Sequence, residues 1–377
     1  MLAGAETRYH VEAVVRACKI LSAFRSEDDR PRLQELAERA NLNRSTALRL
    51  LRTLESCGFV ARTSAQRYRC LVHQPRKADC RIGYAVDSLG KSFRQEVSDG
   101  LEQAAAEHGV ELIAFDDRGD KRSAVRVAEA VIRAKVDLVI DFQTGYEVGP
   151  VVAAKYLEAG IPCIAVDTPH PGATFFGVNN YVAGRDGGRW LAGWVRENWQ
   201  GNLDAIVLVA AGQGGVISSR VRGAVAGLQE KLKSAASPRI LELPTNALFE
   251  PSFRAVRALM NKIRRGRILI LEPADPGVMG AVMALEEAGS SVEAAVFGFG
   301  GNLETRLAIR EPRSRLIGCV GFCPETYGRQ LIPAALRLLE GKTVPPALFI
   351  EHQIITRDNV DLLYPNDHSA ASVKMTV

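Results

Sequence analysis

Asn41–Val60, NLNRSTALRLLRTLESCGFV, reads as one helix with two different faces. Asn43 is placed to cap it, its side-chain oxygen taking one of the orphan N–H groups of the first turn. Ala47, Leu50, Leu51 and Leu54 fall on one apolar stripe. Ser45, Thr46, Arg49, Arg52 and Thr53 lie opposite, a face of hydroxyls and guanidiniums. Gly58 supplies the left-handed residue that ends such a helix, and Phe59-Val60 begins an extended segment.

Working outward, Val11, Val14, Val15, Cys18, Leu21 and Phe24 form the apolar side of a first helix. Leu33, Leu36, Ala37 and Ala40 form a short second one, separated from Asn43 only by Asn41-Leu42. Two helices joined by so tight a turn make a helix-turn-helix, whose last helix enters the major groove of DNA. Phe59–Ala61 and Tyr68–Leu71 are expected to pair as a wing around Thr63–Gln66, carrying Arg62, Arg67 and Arg69. A plain three-helix bundle with a solvated basic face is the competing reading. Residues 1–80 hold 15 Lys/Arg against 9 Asp/Glu, and the remainder 33 against 34, so the net charge of +5 resides in the N-terminal part. Local positive charge is what phosphate contact requires.

LQELAERANLNRSTALRLLRTLESCGFVAR followed by QRYRC resembles the winged helix-turn-helix of IclR-type bacterial transcriptional regulators, over about residues 9–72. The resemblance implies DNA contact by Arg44, Ser45, Thr46 and Arg49. Asn43, Arg52, Arg62 and Arg67 complete the expected DNA-binding set.

At 377 residues, two or three domains are expected. The start lacks a signal peptide, and no run approaches a membrane span, so a cytoplasmic chain with no membrane partner is expected. Seven cysteines, Cys18, Cys57, Cys70, Cys80, Cys163, Cys319 and Cys323, are scattered without a CxxC pair. They read as reduced thiols, not as a zinc site or disulfide framework. No cofactor is expected. The expected boundaries are a head over 1–70, a linker over 71–80, a two-lobed body over 81–365 and a polar tail over 366–377.

From Arg81 short apolar runs alternate with helical patterns: Ile82–Val86, then Phe93–His108; Glu111–Phe115, then Arg122–Ala134; Val136–Asp141, then Val151–Ala159; and Pro162–Asp167. A second series runs from Ala205–Ala210 to Ala295–Phe299. Such alternation predicts an α/β fold with two parallel sheets of about five strands, one per lobe, binding ligand at the C-terminal strand ends. Lobe 1 is expected over about 81–178 plus 323–342, and lobe 2 over about 179–322 plus 343–365.

RIGYAVDSLGKSFRQEVSDGLEQAAAEHGVEL, AGIPCIAVDTP, FFGVNNYVAGRDGG, SSRVRGAVAGLQ, EPADPGVMGAVMAL, AVFGFGGN and FCPETYGRQLIPAALRLLEGKTVPP, in that order, resemble type I periplasmic sugar-binding proteins and the effector domains of LacI-type repressors. The resemblance implies a sugar-like effector in a cleft touched by Phe93, Asp167, Asn179, Arg220, Asp275 and Phe322. It also has departures. The GFDG pattern has become Gly298-Phe299-Gly300-Gly301, Ala274 replaces an asparagine, and Phe322 replaces a glutamine. Each hydroxyl left unpaired by these losses costs about 1–3 kcal/mol, so a less polar or carboxylated ligand paired with Arg220 is an open alternative.

Ala211–Gly215, AGQGG, is a weak candidate phosphate loop lacking the full GxGxxG spacing. Trp190 and Trp194, four apart, share a helical face as packing or a dimer seam, with Trp199 expected to turn away or lie past the helix end. The sequence as a whole reads as a transcriptional regulator, not an enzyme, forming a homodimer on a double-stranded operator and responding to a small molecule. The competing class is an enzyme on the α/β body with an accessory head. Against it, no HExxH, GxSxG or nucleophile–base pair is found. A third reading is a binding protein whose head contacts another protein.

Overall fold

A computed structural model describes residues 11–24, 29–63, 66–71, 80–88, 92–143, 145, 147–209, 215–232, 237–288 and 292–367. Most of the expected linker and tail, Ser64-Ala65 of the wing turn, and 211–214 of the glycine loop lie outside the described residues. The chain divides into two units between Lys77 and Ala78.

The first unit holds α1 (Glu12–Ser22), α2 (Leu33–Arg39), α3 (Arg44–Ser56), β1 (Val60–Arg62) and β2 (Tyr68–Cys70). Ile20, Leu36, Ala47, Leu51, Leu54, Val60 and Tyr68 bury one small core. The α2–α3 turn is tight because Asn41 adopts a left-handed φ of 52° and Leu42 N–H returns to the Ala37 carbonyl at 2.9 Å. Gly58, at φ 79°, closes α3. Its N–H reaches Glu55, and Phe59 N–H reaches Leu54, so two orphan carbonyls are satisfied in a Schellman motif. β1 and β2 pair antiparallel as the wing.

The second unit is built on two six-stranded sheets. One contains β3 (Arg81–Val86), β4 (Glu111–Asp116), β5 (Leu138–Phe142), β6 (Cys163–Val166), β7 (Thr174–Val178) and β13 (Ala347–Ile350). Their order is β13-β7-β6-β5-β3-β4, all parallel. Helices α4 (Ser92–His108), α5 (Lys121–Arg133), α6 (Gly149–Glu158) and α12 (Tyr327–Leu339) belong to this lobe. The other sheet contains β8 (Ala205–Val209), β9 (Arg239–Leu243), β10 (Arg267–Glu272), β11 (Glu293–Gly300), β12 (Leu316–Gly321) and β14 (Gln353–Thr356), in the order β14-β12-β11-β10-β8-β9. Here β14 alone runs antiparallel. Its helices are α7 (Asn180–Trp199), α8 (Gly215–Lys231), α9 (Phe249–Met260), α10 (Asp275–Ala288), α11 (Leu303–Arg310) and α13 (Val360–Leu363).

The interior strands β5 and β8 are buried along their whole length, as expected of parallel strands covered on two faces. The return segment differs from expectation. Residues 347–350, assigned from sequence to lobe 2, add a strand to the edge of lobe 1. There β13 pairs with β7, and Phe349 meets Phe175 edge to face. Only the following strand, β14, belongs to the second sheet. Pairing runs from Ala347↔Phe175 to Ile350↔Val178, and Phe175 N–H also reaches the Pro346 carbonyl.

Helices α7 and α8 approach backbone to backbone. A Cβ on Gly184 would lie 2.0 Å from the Arg220 carbonyl oxygen, and one on Gly227 1.9 Å from that of Arg185. Farther along α7, Trp190 stacks on Phe297 at 5.5 Å. Trp199, expected to turn away or lie past the helix end, does neither: it is the last residue of α7, is buried, and meets Trp194 edge to face at 4.8 Å. The helix stops there because Gln200 turns left-handed.

At the end of β10, Glu272 is fully buried and neither carboxylate oxygen has a well-formed hydrogen bond. Burial raises its pKa from an ordinary 4.5 to about 8, the Ser252 hydroxyl beside it offsetting this in part. Folded protein therefore holds this proton after unfolded chain has released it. The associated stability is complete below about pH 4.5 and is lost as pH rises through about 8. Glu272→Gln, neutral at every pH, is expected to melt roughly 2–6 °C higher than wild type near pH 8. The difference should vanish below pH 4.5, and calorimetry across that range checks both ends.

Candidate nucleic-acid interface and ligand cleft

In the first unit α3 presents its polar face outward. Arg44, Ser45, Arg49 and Arg52 are exposed, and no acidic side chain among the described residues pairs with the three arginines. Asn43 caps the helix: its Oδ1 accepts from Thr46 N–H and from the Ser45 hydroxyl, both at 2.8 Å. That capping fixes the first turn and occupies the Asn43 oxygen. In the wing Arg62 is exposed and lies over the Tyr68 ring at 6.0 Å. Arg67 departs from expectation. Its guanidinium donates to the Arg30 carbonyl at 2.7 Å, and its backbone bridges Arg32, so it braces the wing against the start of α2.

The second unit brings most of the expected cleft residues together at the C-terminal strand ends. Asp167 follows β6 in a left-handed conformation, φ 59°, a strained geometry for a residue with a Cβ. Its Oδ1 accepts from the Tyr327 hydroxyl at 3.2 Å. Burial pushes its carboxyl up, and the guanidiniums of Arg220 and Arg94 pull it back only in part. Phe93 meets Phe142 and Tyr327 edge to face at 6.5 and 6.0 Å. Arg94 lies over the Phe142 ring at 4.7 Å and donates to Asp87 at 2.9 Å.

From the second lobe, Arg220 on α8 donates through Nε to Asn180 Oδ1 at 2.5 Å and through Nη1 to the Pro273 carbonyl at 2.7 Å. Its guanidinium lies over the Phe322 ring at 4.7 Å. The asparagine that reaches into the cleft to meet Arg220 is thus Asn180, whereas Asn179 was the one expected to touch a cleft ligand. Asn179 is exposed and caps α7, accepting from Val182 N–H at 3.2 Å.

Asp275 is likewise an internal brace. Its Oδ1 accepts from Gly301 N–H at 2.8 Å, Asn302 N–H at 3.2 Å and the Thr305 hydroxyl at 2.6 Å. Gly300 sits at φ 128°, and a Cβ there would lie 2.0 Å from the Asp275 carboxylate. The loop after β11 therefore has no room for the aspartate missing from the sequence.

Sequence reasoning missed a polar tie between the lobes. Asn302 Nδ2–H bonds the Ser92 hydroxyl, and Ser92 donates to Glu304 at 3.3 Å. Glu96 on α4 accepts from Leu303 N–H and from Arg306, both at 3.2 Å. Arg306 also grips Asp367 through two bonds of 2.9 and 3.0 Å and lies over the Tyr364 ring at 4.1 Å. Burial raises the Glu96 pKa and Arg306 opposes the rise. Only the cap was legible, as Asn302 three residues before Thr305. The other partners are 61 and 210 residues from Arg306.

A helix-turn-helix head and a two-lobed α/β body with a cleft at its strand ends define a binding-protein fold carrying a nucleic-acid-type module. Residues 82–343 match the periplasmic binding protein domain family, and the chain belongs to that family. Residues 13–64 match the IclR helix-turn-helix domain. No curated protein matches the sequence. Among solved structures, an ABC sugar transporter subunit from Rhodobacter sphaeroides is 22% identical, with TM-score 0.61 over 75% of this chain and 99% of its own. A periplasmic solute-binding protein of Actinobacillus succinogenes with bound D-allose is 17% identical, with TM-score 0.64 over 75% and 100%. One from Agrobacterium vitis with bound allitol is 22% identical, with TM-score 0.63 over 76% and 98%. No helix among the described residues is long and apolar enough to cross a membrane. No cluster of three or more metal-ligating side chains occurs among them either.

Because Arg306 is buried between two carboxylates, Arg306→Ala would leave Glu96 without its cation and Asp367 with Arg310 alone. Its cost is expected at about 3–5 kcal/mol in urea unfolding. Arg306→Lys should recover less than half, since a single ammonium cannot reproduce the two-bond grip on Asp367.

Proposed function

We propose that this chain is a DNA-binding transcriptional regulator whose operator occupancy is controlled by a small polar metabolite held between the two lobes. The observation that carries the reading is the joining, in one chain, of an exposed basic recognition helix and a cleft lined from both sides. One wall offers Asp167, Tyr327 and Phe93, and the other Arg220 and Phe322. DNA contact is assigned to Arg44, Ser45, Thr46, Arg49 and Arg52 on α3 with Arg62 on the wing. The matched families are a DNA-binding head and a binding-protein body, which favours a binding role over catalysis.

Sugar and polyol ligands in the structural neighbours support a sugar-like effector here. The wall chemistry narrows it. Asp167 suits hydroxyls, because a carboxylate makes stronger hydrogen bonds than a neutral acceptor. Phe93 and Phe322 suit the C–H face of a ring. With Ala274, Gly300 and Phe322 replacing polar groups, the second lobe favours a ligand less hydroxylated on that side. Ligand bound between lobes changes their relative orientation only through different affinity for the open and closed forms. A homodimer would convert that change into altered spacing of two heads on a two-fold operator, in the cytoplasm where that DNA lies.

Arg49→Ala is expected to weaken binding of operator DNA roughly tenfold and lower the salt slope of log K by about one, with melting unchanged. Fluorescence anisotropy at several salt concentrations measures this, and unchanged affinity would place the contact elsewhere. For the cleft, a thermal-shift screen of sugars, polyols and their acids should return at least one stabilising ligand. Asp167→Ala should abolish that shift, and a retained shift would remove Asp167 from the site.

A further inference from the structure

All three tryptophans of the chain line one cavity, and it is not the cleft. Its volume is about 410 Å³, within the roughly 300–1,000 Å³ of small-ligand sites. Trp190, Trp194 and Trp199 descend from α7 over the N-terminal ends of β11 and β12, where Ala294, Ala295 and Ile317 form the floor. The interlobe cleft is at the opposite, C-terminal ends of the same strands. This is a second site on the far side of the second lobe.

The indoles set the shape of the ligand. Trp190 is backed by Phe297 and Trp194 by Trp199, so the aromatic wall is fixed by packing rather than assembled on binding. Trp190 and Trp194 stay half-buried, and no indole N–H bonds another described residue. A flat ring fits such a wall by stacking or edge-to-face contact.

Charge sets the rest. Glu293 on the rim is matched by Arg267 at 3.2 Å, and Arg357 is held by the carbonyls of Ile309 and Glu311. Arg315 is exposed, lines the cavity, and makes no side-chain bond to another described residue. A guanidinium presents paired donors that match a carboxylate, and its charge strengthens both bonds. We propose that this cavity binds a small aromatic carboxylate, its ring against Trp190 and Trp194 and its carboxylate on Arg315. The remaining acid of the rim, Asp358, suits a ligand that also bears an amino group, such as an aromatic amino acid. The site lies on the same helix whose first residue, Asn180, holds Arg220 in the cleft. Ten residues of helix, about 15 Å, separate Asn180 from Trp190, and the rest of α7 carries the other two indoles.

Three tryptophans give three indole N–H resonances, and all of them report on this cavity. Full-length protein labelled with nitrogen-15 is titrated with phenylacetate, and with phenylacetamide as its neutral counterpart. Saturable indole shifts with phenylacetate, roughly tenfold weaker for the amide, are expected. Arg315→Ala, exposed and so expected to melt as wild type, should lose the preference for the acid. Absence of saturable shifts at millimolar phenylacetate overturns the proposal, as does equal binding of acid and amide or an unchanged preference in Arg315→Ala.

Discussion

The glycine-mediated contact of α7 with α8 is the constraint on which the second lobe depends. With a side chain at Gly184, Gly188, Gly223 or Gly227 the two helices could not touch at backbone distance. That approach puts Asn180, at the start of α7, within 2.5 Å of Arg220. It also lays the second half of α7 over β11, so that Trp190 stacks on Phe297. One close packing therefore positions a cleft residue at one end and the aromatic cavity at the other.

Around that rod, the body spends its buried charges on internal bracing. Asp275 ties the loop after β11, Arg306 ties that loop to α4 and to Asp367, and Asp87 engages Arg94. A buried ion pair adds little net stability relative to apolar packing, but removing one member is costly, so such pairs fix geometry more than they raise stability. Here Asp275 and the Asp87–Arg94 pair fix geometry within each lobe, and Arg306 with Glu96 fixes how the lobes meet. Asp167 differs from these: it sits at φ 59°, its N–H donates to the Phe176 carbonyl, and its carboxylate accepts from the Tyr327 hydroxyl.

The head was legible because its signals are local. The Asn43 cap, the Ala47–Leu54 stripe and Gly58 each act within a few residues, and all appear where expected. Arg67 was not legible as a brace, because its partner carbonyl at Arg30 is 37 residues away. In the body, strand–helix alternation gave two parallel sheets. It did not give β13, whose four residues carry no period and join whichever edge is open. Asn179 against Asn180 shows the same limit at one-residue resolution: adjacent asparagines are alike in sequence, and only the direction of the first helical turn separates cap from cleft.

By itself the sequence determined the order of modules, the recognition helix with its exposed arginines, and the class of the body, since these follow from periodicity, capping and local charge. Tertiary structure decided which acids and cations face one another. It made Asp275 and Arg306 braces, gave Arg220 to Asn180, turned Trp199 back onto Trp194, and gathered the three indoles with Arg315 around a second cavity. Those pairings join residues up to two hundred positions apart, and the burial and distance that set their energies do not exist until the chain has folded.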